Sequence, residues 1–575
     1  MTPRWHYDPL TKDDKEAADR LARLLGVYPL TGRLLYARGI RTEQEAKAFF
    51  NPRLTTLHDP FLMNDMHAAV ERINRAMGSR EHILVYGDYD VDGCTAVALV
   101  YAFLSQYYSH IDYFIPNRYE EGYGVSLAAI DRAHAMGVSL IIVLDSGIKA
   151  CEEIAYAQTL GIDFIVCDHH VPDDTLPPAV AVLNPKRTDN TYPCTDLSGC
   201  GVGFKLMQAF AINNGIEFSR VAQLLDLCAV SIAADLVPVV GENRILAYHG
   251  LRRLNKSASV GLRAIIEVCG LKGQTLSFND IVFKIAPRIN ASGRIQSGRT
   301  AVALLVERQT QVARQMAQQI NDYNDQRKDL DKQMTEEAHA IVEGMQHMDE
   351  KRCIVVYDPA WNKGVIGIVA SRLTELHYRP TIVITQNTTD TVTGSVRSVP
   401  GFDIYKALES CRDLLINFGG HIYAAGMTLR TADLPEFITR FEAYVNTHIA
   451  EEQREPKQHI DAVIDFRDIN RRLRSELKRF APFGPGNPKP IFCTRQVYDY
   501  GTSKVVGRGQ EHIKLELVDN KSSIVMNGIA FGQSAQAGYV KSKRAFDICY
   551  SVEDNTHKKG EVQLLIEQIR PIESI

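Results

Sequence analysis

The stretch HILVYGDYDVDG, residues 82–93, places an apolar run directly before three carboxylates. The continuous apolar residues predict a buried strand, and Asp88, Asp90 and Asp92 follow it at alternate positions. Carboxylates this close together repel one another, and GDYDVDG contains no basic residue to offset them. The function of the chain therefore has to explain a concentration of negative charge at the end of a buried strand.

Apolar strands and helices alternate after this stretch. VSLIIVLDSG (138–147) and IDFIVCDHH (162–170) are typical of strands, and TAVALVYAFLSQYY (95–108) is typical of a helix. Strands that are apolar along their whole length indicate a parallel sheet covered by helices on both faces. The predicted fold class is therefore α/β, with a parallel-sheet domain as one part of a multidomain chain.

Composition excludes several classes of protein. The 575 residues are 45% apolar and carry a formal net charge of -4, which excludes a uniformly basic nucleic-acid coat protein. The eleven cysteines form no C-x-x-C pair, so we expect them to be reduced core residues. We find neither a signal peptide nor a run of about 18 apolar residues, so we expect no membrane association and a cytoplasmic location.

The length predicts several domains. The polar, proline-free stretch TQVARQMAQQINDYNDQRKDLDKQM predicts a long exposed helix between two domains. A coiled-coil dimer is the alternative, but its apolar positions are sparse. Short alternating strands near the end predict a small barrel of the oligonucleotide-binding (OB) type. The predicted domains are a helical lead-in at 1–60, a parallel-sheet domain at 61–305, a connecting helix at 306–347, a smaller α/β domain at 348–457 and an OB-like domain at 458–575.

Further acidic and histidine residues follow other apolar runs. Asp145 follows the second strand. Asp168, His169 and His170 follow the third, and Asp235 ends the stretch LCAVSIAAD. Ligands of open α/β sheets bind beyond the carboxyl ends of the strands, so we expect these side chains to converge in one crevice. A single strand-terminal aspartate is more often a helix N-cap than a ligand, but several such clusters together favour a metal site.

A metal site explains the charge. Divalent cations stabilise carboxylates that are forced together, and two ions about 3.5–4 Å apart can clamp the attacking and leaving oxygens of a phosphoryl displacement. Aspartate and histidine ligands without cysteine favour Mn²⁺ or Mg²⁺ over structural Zn²⁺. Asp145, on the intervening strand, is the candidate to bridge two ions.

Four motifs in a fixed order, GDYDVDG, LDSG, CDHH and AADLVP, resemble the DHH phosphoesterase superfamily. Downstream, FGGHIYAAGM resembles the GGH motif of the DHHA1 domain that accompanies it. The stretches APRINASGR, GVIGIVASRL and RFAPFGPGNPKPIF, together with the long connecting helix, resemble the RecJ family of bacterial exonucleases specific for single-stranded DNA. The resemblance extends over about residues 80–575. It implies that the parallel-sheet domain is a DHH domain and that the smaller α/β domain is DHHA1.

The resemblance also implies roles for individual residues. Two Mn²⁺ or Mg²⁺ ions would catalyse phosphodiester hydrolysis, with 5′→3′ polarity, single-stranded DNA as substrate and 5′-mononucleotides as products, in repair and recombination. Asp168 and His170 would orient the ligands or face the phosphate. Asp92 is either a further ligand or only the turn residue before Gly93. The implied metal ligands are Asp88, Asp90, Asp145, His169 and Asp235.

Candidate DNA-binding residues lie in three places. The segment PRINASGRIQSGR suggests a polar loop that grips phosphates, and the alternative is a solvated loop. GSVRSV and GGH lie in the smaller α/β domain, where paired glycines permit close approach of a nucleotide or simply make a tight turn. The Gly-rich TDLSGCGVGFKL offers backbone N–H groups to a phosphate or is an ordinary turn before a helix. The candidate residues are Arg288, Arg294, Arg299, Ser395, Arg397, Gly419, Gly420 and His421.

Two other functions compete with this interpretation. One is a DHH phosphoesterase for small substrates such as oligoribonucleotides, cyclic dinucleotides or pyrophosphate, which needs neither the arginine-rich segment nor the β-rich module. The other is an inactive single-strand-binding scaffold, which has no need of mutually repelling carboxylates. By resemblance alone, a single-strand-binding protein and a RecQ-type helicase are possible partners, and we expect a monomer.

Overall fold

The computed structural model describes residues 3–117, 121–122, 124–348, 350–555 and 560–572. The chain forms two compact units. The first contains His58–Asp235 and His249–Pro456, and the second contains Trp5–Leu57, Leu236–Tyr248 and Lys457–Ile575. Within the described residues, no helix is both long enough and apolar enough to span a membrane.

The N-terminal segment belongs to the second unit. Thr42 begins its third helix with a capping box, in which Glu45 bonds back to the Thr42 backbone. Leu34 and Phe50 of this segment pack in the same core as Phe480 of the C-terminal region. The segment is therefore part of a larger module, while the exact domain limits stay a prediction. The elements are β1 (Arg4–His6), α1 (Lys12–Leu25), α2 (Pro29–Ala37) and α3 (Glu43–Phe50).

A five-stranded, all-parallel sheet begins the first unit, as the apolar runs predicted. Its strand order is β3-β2-β4-β5-β6, and helices pack on both faces. Every residue of β2, the strand that precedes GDYDVDG, is buried, which explains its continuous apolar pattern. The elements are α4 (Met66–Gly78), β2 (His82–Gly87), α5 (Val91–Leu104), β3 (Ile111–Phe114), α6 (Leu127–Ala135), β4 (Val138–Leu144), α7 (Cys151–Thr159), β5 (Asp163–Cys167) and β6 (Ala181–Leu183).

Helices complete this domain, and they correct one prediction. The segment PRINASGRIQSGR is helical rather than a polar loop: proline lies in the first turn of α14, and the Ser297 side chain caps α15. Proline is tolerated there because the first N–H groups of a helix have no partner within it. The elements are α8 (Gly199–Asn213), α9 (Phe218–Ala222), α10 (Leu225–Ala234), α11 (Gly241–Ser257), α12 (Val260–Val268), α13 (Phe278–Asp280), α14 (Ala286–Ile295) and α15 (Gly298–Val306). The first part of α11, up to Tyr248, is assigned to the second unit.

The predicted connecting helix is present as α16 (Thr310–Glu343), 34 residues long. It is not exposed all round, because it packs against α12 and α14 along its first half. Its last turns join the core of the next domain through Met334, Ala338 and Val342. The sparse apolar residues form one buried stripe, so the helix is docked on the two domains that it connects.

A mixed five-stranded sheet follows in the same unit. Its strand order is β10-β11-β9-β8-β7; only β7 and β8 are parallel, and β10 is an edge strand. The GGH motif lies at the end of this edge strand. The elements are β7 (Ile354–Tyr357), α17 (Ile366–His377), β8 (Thr381–Gln386), β9 (Thr391–Arg397), α18 (Ile404–Glu409), β10 (Leu415–His421), β11 (Ala424–Arg430) and α19 (Leu434–His448).

The C-terminal region of the second unit contains the predicted small barrel. Strands β14, β18, β19, β17 and β16 pair in sequence, and β16 pairs back with β14 to close it. Phe492 is fully buried against Tyr550 and belongs to the core of the barrel. The elements are β12 (Lys457–His459), β13 (Ala462–Val463), α20 (Arg471–Lys478), β14 (Phe492–Asp499), β15 (Lys504–Val506), β16 (His512–Asp519), β17 (Val525–Ala530), α21 (Ala537–Val540), β18 (Phe546–Asp554) and β19 (Val562–Pro571).

Candidate active site

Carboxylates converge at the carboxyl ends of three neighbouring strands. Asp88 and Asp90 follow β2, Asp145 follows β4, and Asp168 follows β5. Parallel strands end on the same edge of the sheet, so the side chains meet there. Asp235 joins them from the C-terminal end of α10, which is a helix end rather than a strand end.

His169 lies at the centre of this cluster. Its Nε2 atom is 3.1 Å from Oδ1 of Asp145, 3.6 Å from Oδ2 of Asp235 and 3.7 Å from Oδ2 of Asp92. The structure therefore brings together the histidine and the carboxylates proposed as ligands. The sets of potential metal-ligand atoms that lie within 4.8 Å of one another are Asp88, Asp90 and Asp145; Asp145, His169 and His170; and Asp92, His169 and Asp235.

The Asp145 backbone adopts a conformation that is unusual for aspartate. Its φ is 58°, in the left-handed region, and its N–H donates to the carbonyl of Cys167 at 2.9 Å. A Cβ at Gly199 would lie 2.7 Å from the Asp145 Cβ atom, so this position requires glycine. Strain of this kind persists only where the surrounding structure enforces it, which is typical of functional sites.

Asp92 has a larger role than a turn residue. Its carboxylate accepts N–H bonds from Gly199 at 2.6 Å and Cys200 at 2.8 Å, and a hydroxyl bond from Ser231 at 2.7 Å. These bonds anchor a fully buried carboxylate at the N-terminus of α8, beside His169. The same N–H groups are therefore engaged by Asp92, which argues against the alternative that they bind a phosphate.

Asp90 is both a helix N-cap and a candidate metal ligand, the two roles that a strand-terminal aspartate can have. It is the N-cap of α5 and accepts the Gly93 N–H at 3.0 Å. It also lies within 4.8 Å of potential ligand atoms of Asp88 and Asp145. The cap bond leaves one of its two oxygens to face the cluster, so capping and metal binding are compatible.

Electrostatics in the cluster favour a bound cation. Burial, followed by the charge of Asp92, raises the pKa of Asp90, Asp145 and Asp235. Burial lowers the pKa of His169, which keeps the imidazole neutral, the form that binds metals. The residues fit a pair of hard divalent cations, because oxygen donors dominate and none of the candidate ligands is a cysteine.

Asp168 organises the histidine pair. Its Oδ1 atom accepts the backbone N–H groups of His169 and His170, at 2.7 and 3.1 Å, and the Nδ1 atom of His170 at 2.7 Å. Its Oδ2 atom accepts the Ile148 N–H at 3.0 Å. Burial alone would raise the pKa of Asp168, but the bond and charge of His170 outweigh it and lower the pKa to about 2. These bonds fit the first of the two roles predicted for Asp168, that of orienting His169 and His170.

The GGH hairpin lies beside the candidate metal ligands. The rings of His170 and His421 are stacked, with centroids 5.8 Å apart and planes 6° from parallel. Gly420 has φ of 148°, and a Cβ there would lie 2.3 Å from the Ala424 carbonyl oxygen, whereas a Cβ at Gly419 would meet nothing within 4 Å. His421 thus contributes to the wall of the crevice, and only Gly420 is required by the hairpin backbone.

Arg397 forms a second part of that wall. Its guanidinium donates to Ser371 Oγ at 3.1 Å, Ser395 Oγ at 3.2 Å and the Val396 carbonyl at 2.8 Å. Within the described part of the chain, no carboxylate lies within 4.0 Å of it, and burial lowers its pKa. A half-buried cation that contacts only neutral oxygens is well suited to bind a phosphate.

The three arginines of PRINASGRIQSGR contact different parts of the chain. Arg288 donates to the side chain of Asn321 at 2.9 Å, on the connecting helix. Arg294 donates to the Gly364 carbonyl at 2.7 Å, in the smaller domain. Arg299 is exposed, with its guanidinium 5.8 Å from the centre of the Tyr113 ring. The structure does not gather them into one phosphate-binding loop.

Profiles of three protein families match this chain. The profile described as "DHH family, N-terminal domain" matches residues 82–232, "DHHA1 domain" matches 350–447, and "RecJ OB domain" matches 460–568. The parallel sheet, the buried carboxylate cluster and these matches define a phosphoesterase of the DHH class.

Similarity to curated proteins extends over nearly the whole chain. "Single-stranded-DNA-specific exonuclease RecJ" of Bacillus subtilis (strain 168) is 35% identical, over 98% of this chain and 70% of its own length. The protein of the same name from Escherichia coli (strain K12) is 32% identical, over 97% of this chain and 98% of its own length. The chain belongs to the RecJ family of single-stranded-DNA-specific exonucleases. The resemblance drawn from the motifs is thereby confirmed.

Solved structures agree in fold. The crystal structure of RecJ from Thermus thermophilus in complex with Mn²⁺ has a TM-score of 0.84 and 26% identity, and covers 100% of this chain and 80% of that one. A structure of exonuclease RecJ bound to manganese is 33% identical, with a TM-score of 0.58, and covers 68% of this chain and 97% of that one. The predicted α/β multidomain fold with an OB-like barrel is confirmed.

Proposed function

We propose that this chain is a metal-dependent exonuclease that degrades single-stranded DNA from its 5′ end and releases 5′-mononucleotides in DNA repair and recombination. The observation that carries the proposal is the buried cluster of carboxylates around His169, which closely juxtaposes charges that only bound cations would stabilise. Membership of the RecJ family supports the choice of substrate.

Two Mn²⁺ or Mg²⁺ ions would be held by this cluster. When bound, such ions lower the pKa of water and offset the charge that develops on a phosphate. Asp145 belongs to two of the three sets of neighbouring ligand atoms, which supports its role as the bridging carboxylate. The proposed ligands are Asp88, Asp90, Asp145, His169 and Asp235, with Asp92 added by the structure.

The other residues hold the substrate and orient the ligands. Asp168 fixes Nδ1 of His170, so the rest of the ring is held against His421 at the edge of the crevice. Arg397, with Ser395 beside it, would bind a phosphate of the strand. Gly419 and Gly420 would let the nucleotide approach the hairpin backbone. Arg288, Arg294 and Arg299 remain proposed phosphate contacts that would act separately.

One assay tests the proposal against both competing functions. End-labelled single-stranded and double-stranded DNA, and separately pyrophosphate, would be incubated with Mn²⁺, Mg²⁺ or EDTA. We expect 5′-labelled mononucleotide from single-stranded DNA with either metal, and no cleavage with EDTA. Hydrolysis of pyrophosphate alone would support the small-substrate phosphoesterase, and DNA binding without cleavage would support the scaffold.

Phosphate contacts also predict a salt dependence. Binding of single-stranded DNA should weaken steadily with added salt, because each phosphate contact releases counterions. An affinity that does not change with salt would contradict the proposed groove.

The proposal extends to the setting of the enzyme. We expect a monomer in the cytoplasm, supplied with single strands by a RecQ-type helicase and recruited by a single-strand-binding protein. Sedimentation of the purified chain and of its mixtures with these partners would test each part, and co-sedimentation with neither partner would contradict it.

A further inference from the structure

Lys186 lies at the same edge of the sheet as the metal-binding residues, although no motif pointed to it. It follows β6, the strand next to β5, whose end carries Asp168 and the histidine pair. Fully buried Asn184 holds the loop in place: its Nδ2 donates to the His170 carbonyl at 2.8 Å, and its Oδ1 accepts the Lys186 N–H at 2.8 Å. The backbone of Lys186 is thereby tied to His170.

The ammonium group of Lys186 has no anionic partner within the described ranges. No carboxylate oxygen there lies within 4.0 Å of it, although the side chain is only half-exposed. Lys149, the other lysine close to His421, instead forms an ion pair with Asp173 at 2.7 Å. A partly desolvated lysine without a counter-charge is costly unless an anion binds there.

The bonds of Asn184 place Lys186 beside both walls of the crevice. They tie the Lys186 backbone to His170, which follows the proposed ligand His169 directly. The His170 ring in turn stacks on His421 of the GGH motif. Lys186 therefore lies at the edge of the space in which the proposed function places the strand.

We infer that Lys186 is a catalytic residue whose ammonium group contacts a non-bridging oxygen of the scissile phosphate. This inference rests on the proposed function. In the reaction, a water oxygen forms a bond to phosphorus, the bond from phosphorus to O3′ breaks, and its electron pair goes to O3′, which gains a proton while the water loses one. Lys186 remains protonated and stabilises the charge that builds up on the phosphate oxygens.

The test compares Lys186→Met, which keeps the length of the side chain but removes its charge, with Lys186→Arg and with Lys149→Met as the matched control. We expect Lys186→Met to lower kcat by ~10²-fold, the usual cost of one lost oxyanion contact, and to raise KM by a smaller factor, because the contact to the bound phosphate is lost as well. Lys186→Arg should recover part of the loss. Lys149→Met should change kcat less than ~2-fold, because its partner Asp173 already neutralises that charge.

Binding gives a second readout that does not depend on cleavage. In EDTA, the slope of log affinity for single-stranded DNA against log salt should fall by about 0.7 for Lys186→Met, the value for one lost phosphate contact, and should be unchanged for Lys149→Met. Lys186→Gln serves if the methionine variant does not fold.

The value of kcat and the salt dependence of binding together distinguish failure of the proposed function from failure of the inference on Lys186. A wild-type chain that binds but does not cleave single-stranded DNA would contradict the proposed function, and the slope would then decide only whether Lys186 contacts a phosphate. A Lys186→Met variant with wild-type kcat and an unchanged slope would overturn the inference. A slope that falls while kcat is unchanged would also overturn it, since Lys186 would then contact only a non-reacting phosphate.

Discussion

The strand ends of the DHH domain and the GGH hairpin of the DHHA1 domain line one crevice, but the strand ends are buried and the hairpin is exposed. Asp145 and Asp168 are 3% and 1% exposed, and backbone groups of neighbouring strands and helices fix them. Residues 419–423 of the hairpin are exposed, and the His421 ring stacks on His170 of the DHH domain. The buried half is fixed by its surroundings, as catalysis requires, and the exposed half is free for the substrate contact that we propose.

The largest effect should come from the buried half. Asp145→Ala removes the carboxylate shared by two sets of ligand atoms, so we expect hydrolysis to fall by ~10³-fold or more, the equivalent of several kcal/mol of lost charge stabilisation. The fold and much of the DNA binding should remain, as measured by circular dichroism and by filter binding in EDTA. Substantial residual cleavage would remove Asp145 from the bridging position.

Asp92→Asn should have the next largest effect. The amide keeps one acceptor but places an N–H₂ group against the N–H donors of Gly199 and Cys200, leaving one of them without a partner. We expect Mn²⁺ affinity to fall roughly 10–100-fold and the free energy of unfolding to fall by about 1–3 kcal/mol. Calorimetric titration with Mn²⁺ and thermal unfolding would measure both. Ser231→Ala, which removes the hydroxyl bonds to Asp92 and to Ser198 Oγ but keeps the carboxylate, should show a smaller loss of metal affinity. Wild-type metal affinity in Asp92→Asn would contradict the proposed role of Asp92.

Arg397→Ala should affect binding more than chemistry. Removing a half-buried cation from the DHHA1 domain should raise KM for single-stranded DNA about 10-fold while kcat at saturation changes little, since a charged hydrogen bond contributes about 1.5–3 kcal/mol. Arg430→Ala, which removes an exposed arginine paired with Asp433 in the same domain, is the control. An unchanged KM would count against phosphate binding by Arg397.

The smallest effect concerns the two hairpin glycines. Gly420→Ala forces a Cβ against the Ala424 carbonyl at a φ of 148°, so we expect the free energy of unfolding to fall by about 1–3 kcal/mol. Gly419→Ala has open space around its Cβ and should unfold at the wild-type temperature. If Gly419 nevertheless lies against a nucleotide, its variant should raise KM without loss of stability. Equal thermal shifts in the two variants would contradict this difference.

The periodicity of the sequence predicted much of the fold. Continuous apolar runs identified the parallel strands, the polar proline-free stretch identified α16, and short alternating runs identified the barrel. The segment around Arg288 was misjudged as a loop, because its glycine, serine and asparagine mask a helical pattern that tertiary packing stabilises. The buried stripe of α16 was also missed, since its members are mostly small or polar.

The candidate site was likewise predicted in part from the sequence and settled in part only by tertiary packing. The sequence by itself determined which acidic and histidine residues end the strands, because position along a strand is a local property. Only the tertiary structure decided that Asp92 is anchored to the start of α8, that His421 stacks on His170 and that Lys186 lies beside them. The first two relations join residues 107 or more positions apart, and the third depends on two neighbouring strand ends. Long-range packing sets all three, and no local pattern in the sequence records it.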